Sequence, residues 1–193
     1  FGGMASLMDM RTTVFSYGAP EFQQGNTLMA EMAHHFDLPN FGTAGTSDAQ
    51  CFDGQAVLEA ASSCMMAHRS GANLIHDVGL LGSATVVMPD IIVATDEIIA
   101  MLDQLLKAVD VSDEALCLDV IETIGPGGEF VTHPHTFDHF RDAWYPDLLF
   151  RGGAEAWGTS EQDSFEQRVN AKTRQLMAQH ELCRLPGGAN DAI

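Results

Sequence analysis

Apolar positions along the chain change period several times, and each change marks an element. Phe1 to Ser16 mixes Gly2, Gly3 and Ser6 with Met4, Leu7, Met8, Met10, Val14 and Phe15, which predicts a strand ending in a small-residue loop. Gly18-Ala19-Pro20-Glu21 opens a helix. Proline fits its first position, and an acid favours its positive end. Met29, Met32, Ala33 and Phe36 recur at helical spacing and predict its buried face. Adjacent His34 and His35 cannot share that face and read as surface residues. After Leu38-Pro39, residues 40–44 predict a short strand, and Gly45-Thr46-Ser47-Asp48 a polar loop. The next helix begins near Phe52 with the stripe Val57, Leu58, Ala61, Cys64 and Met65, and ends at a C-cap Gly71. Residues 72–76 predict a buried strand, closed by Asp77-Val78-Gly79 and a flexible segment over 80–83.

The second half repeats the alternation less clearly. Pro89 opens the longest amphipathic helix, with Ile91, Ile92, Ile98, Ile99, Leu102, Leu105 and Leu106 along one side. Ser112-Asp113-Glu114 caps a helix running to about Ile124. Gly125-Pro126-Gly127-Gly128 is a turn, followed by Glu129 and then by His133-Pro134-His135. Proline biases His133 away from helix and suits the first turn of the next one, so both imidazoles stand where a loop meets a helix start. Thr159-Ser160-Glu161-Gln162 resembles a capping box for a last helix over 160–182, with Phe165, Val169, Leu176 and Met177 on its apolar side. Residues 183–193 read as a flexible tail.

Short strands alternating with helices of about 17 to 20 residues point to parallel βαβ units and an α/β fold. Two or three such units do not close a sheet. The chain is therefore expected to be either a small open α/β domain or the C-terminal part of a (β/α)8 barrel, in which loops after the strands converge on one face. Asp48, His76, Asp77, Glu129, His133 and His135 all fall in such loops.

Composition narrows the partners. Nine Lys+Arg against 27 Asp+Glu leave a formal charge of −18, which argues against nucleic acid and anionic membranes. No run approaches the roughly 20 apolar residues of a membrane span, and no signal peptide opens the chain, so a cytoplasmic protein is expected. A Phe at position 1 suggests a piece of something longer. Cys51, Cys64, Cys117 and Cys183 form no CxxC pair and are expected as reduced thiols. His133, His135 and His139, with Glu129, His76 or Asp48, could hold zinc, against the ordinary reading of hydrogen-bonding loop histidines. Neither a G-x-S-x-G elbow nor a G-x-G-x-x-G after a strand is present.

Four stretches together carry a resemblance. They are Tyr17-Gly18-Ala19-Pro20-Glu21, the run from Gly42 to Gln50 (GTAGTSDAQ), the run from Gly71 to Gly79 (GANLIHDVG), and Gly125-Pro126-Gly127-Gly128 with His133-Pro134-His135-Thr136. In order and spacing the chain resembles the C-terminal portion of the trimethylamine methyltransferase family of corrinoid-dependent methyltransferases. The resemblance implies a (β/α)8 barrel, here residues 1–182 with a C-terminal helical extension, whose missing half is N-terminal. It also implies methyl transfer from a methylated amine to the cobalt of a corrinoid (cobalamin) carried by a separate partner protein, with no cofactor bound by this chain itself. A homo-oligomer is compatible with it. Trimethylamine enzymes of the family carry pyrrolysine, whereas every letter here is one of the standard twenty. That favours the pyrrolysine-free relatives, which demethylate glycine betaine and similar quaternary amines, over trimethylamine itself.

A quaternary ammonium has no N–H, so aromatic faces and carboxylates are what can hold it. Tyr17, Phe41, Phe52 and Trp157 are candidate walls, Asp48 and Glu129 candidate counter-charges, and His76, His133 and His135 candidate donors to a betaine carboxylate. Two other functions remain open on the residues alone. One is a metal-dependent barrel enzyme using His133 and His135, the other a non-catalytic binding domain for cationic osmolytes.

Overall fold

A computed structural model describes residues 5–159 and 164–181. Its ordered centre is a parallel βαβ unit. Strand β1 (Phe41–Thr43) leads into helix α2 (Gly54–Ser70), which returns the chain to β2 (Leu74–His76). The two strands pair in parallel with Phe41 opposite Leu74, Gly42 opposite Ile75 and Thr43 opposite His76. Side chains alternate faces along a strand. Phe41, Thr43, Leu74 and His76 therefore share one face of the sheet, and Gly42 and Ile75 the other. Ile75 lines an apolar cavity of about 120 Å³ with Ala44, Cys64, Ile99 and Leu102, so this second face is turned toward the helices.

Helix α1 (Pro20–His35) precedes β1, and α3 (Pro89–Leu105) follows a short hairpin. The helices pack in a row, α1 on α2, α2 on α3, and α3 on α8 (Phe165–Gln179). Proline stands in the first turn of both α1 and α3. Helix α2 has a side-chain cap, Asp53 accepting from the amides of Gln55 and Ala56, and ends on Gly71 at φ 69°. That left-handed position is where glycine carries no Cβ penalty.

The buried faces are made of smaller residues than the apolar periodicity suggests. In α1 they are Phe22, Gln23, Ala30 and Ala33, while Met32 and Phe36 are exposed. In α2 they are Ala56, Ala60, Ser63, Cys64 and Ala67, with Leu58 exposed. Helices that pack on neighbours at both sides approach most closely across small side chains, so the large ones are turned outward. In α3 the expected Ile91, Ile98 and Leu102 are buried, but Ala94, Thr95 and Glu97 complete the face. Leu105 is exposed. The 72–76 strand is not buried throughout, because Leu74 and Ile75 are both exposed.

Three local expectations need correction. Residues 7–16 form a turn closed by a single antiparallel bridge between Met8 and Phe15, rather than a strand, and residues 1–4 lie outside those described. The segment after β2 is not a flexible loop but a hairpin, β3 (Leu80–Leu81) against β4 (Val86–Val87), pinned by the fully buried Leu81. The helix expected from Ser112 to Ile124 breaks into α4 (Asp113–Leu116) and α5 (Leu118–Ile124), because Cys117 takes a left-handed φ of 49°. Ser112 does cap α4, as its spacing suggested.

The last long helix also begins later than expected. Its capping box is Ser164 with Gln167, ahead of Phe165. The Ser160-Glu161-Gln162 part of the expected box, and the tail over 183–193, lie outside the described residues.

Besides the packing of α8 on α3, a buried carboxylate ties residues 147–149 to this core. Glu97 on α3 is buried, and its carboxylate accepts the amides of Leu148 at 2.9 Å, Leu149 at 3.1 Å and Asp147 at 3.3 Å. Arg168 on α8 donates to the Leu148 carbonyl at 2.7 Å. Residues 107–143 contain no buried side chain. They include α4, α5 and α6 (Pro134–His139).

Candidate functional site

The C-terminal ends of β1 and β2 gather the polar groups. Asp77, immediately after β2, adopts a left-handed φ of 74°, a conformation uncommon for a residue with a side chain. Its carboxylate lies 2.8 Å from His76 Nδ1 and accepts the Thr43 hydroxyl at 3.3 Å. His76 Nε2 is shielded from solvent and has no hydrogen-bond partner. The Phe41 ring stands 5.0 Å from the His76 ring. Burial first, and then the negative charge of Asp77, raise the Tyr17 phenol above its ordinary range. Thr43 and His76 thus meet one carboxylate, whose charge also reaches Tyr17 and which sequence reasoning placed in a strand-end loop but gave no role.

Asp48 organises the loop beside them. It accepts the Ser16 hydroxyl, the Tyr17 amide at 2.9 Å and the Gly18 amide at 3.1 Å. Its oxygens therefore hold the chain segment that carries Tyr17. From the other side, Glu59 of α2 accepts the Ser47 hydroxyl at 2.5 Å and the Asp48 amide at 2.8 Å. A Cβ on Gly18 would run into the Glu59 carboxylate, 2.4 Å from its Cδ. The loop is also paired along its length, since Gly79 donates to Gly45, Ser47 to Leu80, and Gly82 to Ala49. A cleft of about 570 Å³ opens here, lined among others by Arg11, Phe15, Ser16, Asp48 and Gln50. Arg11 and Asp9, at its rim, lie 3.5 Å apart.

The remaining candidates stand elsewhere in the contact network. Phe52 is buried and packs on Phe165 with ring centroids 6.4 Å apart, which makes it core. Trp157 of α7 (Ala154–Thr159) stacks edge-on against Phe150. Glu129 is exposed in the turn before α6. His133 is the N-cap of α6, its Nδ1 accepting the His135 amide at 3.2 Å. His135 Nε2 lies 2.9 Å from Cys117 Sγ, and its ring stacks 4.4 Å from His139. These contacts all fall within 117–139 and none reaches the Asp77 cluster. No three His, Cys, Asp or Glu side chains among the described residues are grouped to hold a metal ion. No helix among them is long and apolar enough to cross a membrane.

A parallel βαβ unit is the piece from which α/β proteins are built, and such proteins handle small molecules outside the carboxyl ends of their strands, where this chain gathers its polar groups. The chain belongs to the trimethylamine methyltransferase (MTTB) family, whose profile matches residues 1–193. Among curated relatives, a glycine betaine methyltransferase of Desulfitobacterium hafniense (strain Y51) is 30% identical over 182 residues, which are 93% of this chain and 38% of the relative. A trimethylamine methyltransferase MttB of D. hafniense (strain DSM 10664 / DCB-2) is 28% identical over 169 residues, covering 88% of this chain and 34% of the relative. MttB2 of Methanosarcina mazei is 24% identical over 182 residues, covering 94% and 37%. The chain thus spans little more than a third of the length of the curated relatives it matches.

Proposed function

We propose that this chain is part of a (β/α)8 barrel whose whole protein transfers a methyl group from a methylated amine, with glycine betaine-like quaternary amines favoured, to a corrinoid carried by a separate protein. The observation that carries this reading is the contact of His76 and Thr43 with Asp77 at the ends of two parallel strands. Family membership and relatives named for glycine betaine and trimethylamine support the donor class.

In a barrel, the sheet face bearing Phe41, Thr43 and His76 would turn inward, since Ile75 on the other face meets the helices. The chemistry required of the protein is modest. The corrinoid supplies a nucleophilic Co(I) that accepts the methyl group, and this chain is not required to ligate it. A quaternary nitrogen already carries the positive charge that makes the departing amine a good leaving group. No proton need be delivered to nitrogen. What the chain must do is hold one N–CH₃ bond in line and keep water out.

The Tyr17 and Phe41 rings and the Asp77 carboxylate suit the ammonium end of such a donor. His76 Nδ1–H faces Asp77, so Nε2, shielded and without a partner, is the group for a betaine carboxylate when the ring carries both protons. Asp48 acts here as a positioning residue, holding Ser16, Tyr17 and Gly18. Reduction of the binding role to His76 makes a direct test. His76→Ala in the full-length protein should weaken glycine betaine binding, measured by calorimetry, by about 10-fold or more for loss of a hydrogen bond to a charged group. Unchanged betaine affinity in that variant would remove His76 from the site.

A further inference from the structure

A second cluster of reactive side chains lies outside that site, between α4–α5 and α6. Cys117 sits at the break between α4 and α5, held at φ 49° with its amide bonded to the Asp113 carbonyl at 3.2 Å. Its sulfur is 2.9 Å from His135 Nε2, and its thiol also has the carbonyls of Glu114 at 2.9 Å and Ala115 at 3.6 Å within reach as acceptors. His135 is fixed from two sides, through its amide to His133 and through its ring stacked on His139. His139 is held in turn by Asp142, at 2.7 Å from Nδ1. Cys117 and His135 are both half-buried, so a small reagent can reach the sulfur.

The other described thiols are built differently. Cys51 is exposed, but its polar neighbour is the Asp53 carboxylate at 3.8 Å, an acid rather than an imidazole. Cys64 is buried in the core, which pushes its thiol up to about 11.

We propose that the Cys117–His135 pair is a thiol–disulfide exchange site, at which Cys117 takes up a low-molecular-weight disulfide as a mixed disulfide. The Cys117 sulfur attacks one sulfur of the reagent along its S–S axis, and a new S–S bond forms as the old one breaks. The Cys117 proton passes to His135 Nε2 and from there to the departing thiolate, which leaves as a thiol. Cys117 is thereby oxidised to the mixed disulfide, and the departing sulfur of the reagent is reduced. No further oxidant is needed. The adduct stands where His135 now touches the sulfur, so modification separates α6 from the α4–α5 turn. This inference is independent of the methyl-transfer reading.

The test uses the full chain in its native state, with 2-hydroxyethyl disulfide and, separately, iodoacetamide, and site-by-site mass spectrometry. A base positioned on the sulfur should make Cys117 react on the order of 100-fold faster than Cys51 with both reagents. His135→Gln should bring Cys117 down to the range of Cys51 while leaving the Cys51 rate unchanged. Equal rates at Cys117 and Cys51 in the unaltered protein would overturn the proposal without any variant. So would a Cys117 rate that is insensitive to His135→Gln.

Discussion

Replacing Glu97 should release residues 147–149 from α3, and the structure gives the size of the effect. One oxygen of its carboxylate accepts the Leu148 and Leu149 amides, and the other accepts Asp147. Glu97 and Leu148 are both nearly enclosed, at 7% and 9% exposure. The Leu148 amide therefore has little water to replace a lost acceptor. Leaving one buried amide unpaired costs about 1 to 3 kcal/mol, and each of the two half-buried bonds adds about 0.5 to 1 kcal/mol. Glu97→Ala should thus lower unfolding stability by about 2 to 5 kcal/mol. Glu97→Gln keeps one oxygen for Leu148 and Leu149, loses the charge, and faces the Asp147 amide with a donor, so about 1 to 2 kcal/mol is expected. Urea unfolding of the full chain measures both, and amide exchange locates the loss at residues 147–149. A cost for Glu97→Ala below about 1 kcal/mol, with exchange at Leu148 and Leu149 unchanged, would refute the latch.

Two further outcomes follow from other positions. Burial raises the Cys64 thiol from 9.0 to about 11, so folding favours its neutral form. That stability is fully present below about pH 9 and is lost as pH rises toward 11, by about 2 to 3 kcal/mol at one pKa unit per 1.36 kcal/mol. Cys64→Ala should be less stable at pH 8 but should show a shallower loss between pH 9 and 11 in urea titrations; parallel pH curves for the two proteins would contradict this. Gly45 and Gly71 have nearly the same φ, 70° and 69°, but different surroundings. An added Cβ at Gly45 meets Val78 Cα at 3.2 Å and Val78 Cγ2 at 3.0 Å, whereas at Gly71 it meets only the end of the His34 ring at 3.2 Å. Gly45→Ala should cost about 2 to 4 kcal/mol and Gly71→Ala about 1 to 2 kcal/mol by thermal or urea unfolding, and a reversed order would show that loop packing does not set the difference.

Local signals in the sequence carried the unit at the centre of the fold. Pro20 and Pro89 mark helix starts, Gly71 marks a helix end, and the two short strands flank a helix of the right length for a parallel connection. Buried faces were less legible, because periodicity scores large apolar letters. In α1 and α2 close packing chose alanine and serine instead, leaving Met32 and Leu58 outside. The break at Cys117 had no glycine or proline to announce it. Among candidate site residues, Asp48 follows β1 and His76 ends β2, as loops and strand ends at one end of a parallel pair do, while Tyr17 is brought to Asp48 from the segment before α1. Asp77 was visible after β2, yet its contacts with Thr43 and His76 are made from a left-handed backbone that no local motif encodes. Glu97 was unreadable as a polar anchor, since its three donors are backbone amides about 50 residues away.

The methyl donor is the most direct test of the proposed function. Full-length protein would be mixed with a corrinoid protein reduced to Co(I), and glycine betaine or trimethylamine added separately while visible absorbance follows methylation of the cobalt. The proposed function predicts methylation with glycine betaine, and its loss in His76→Ala. Methylation with trimethylamine and none with glycine betaine would contradict the quaternary-amine reading and the role given to His76.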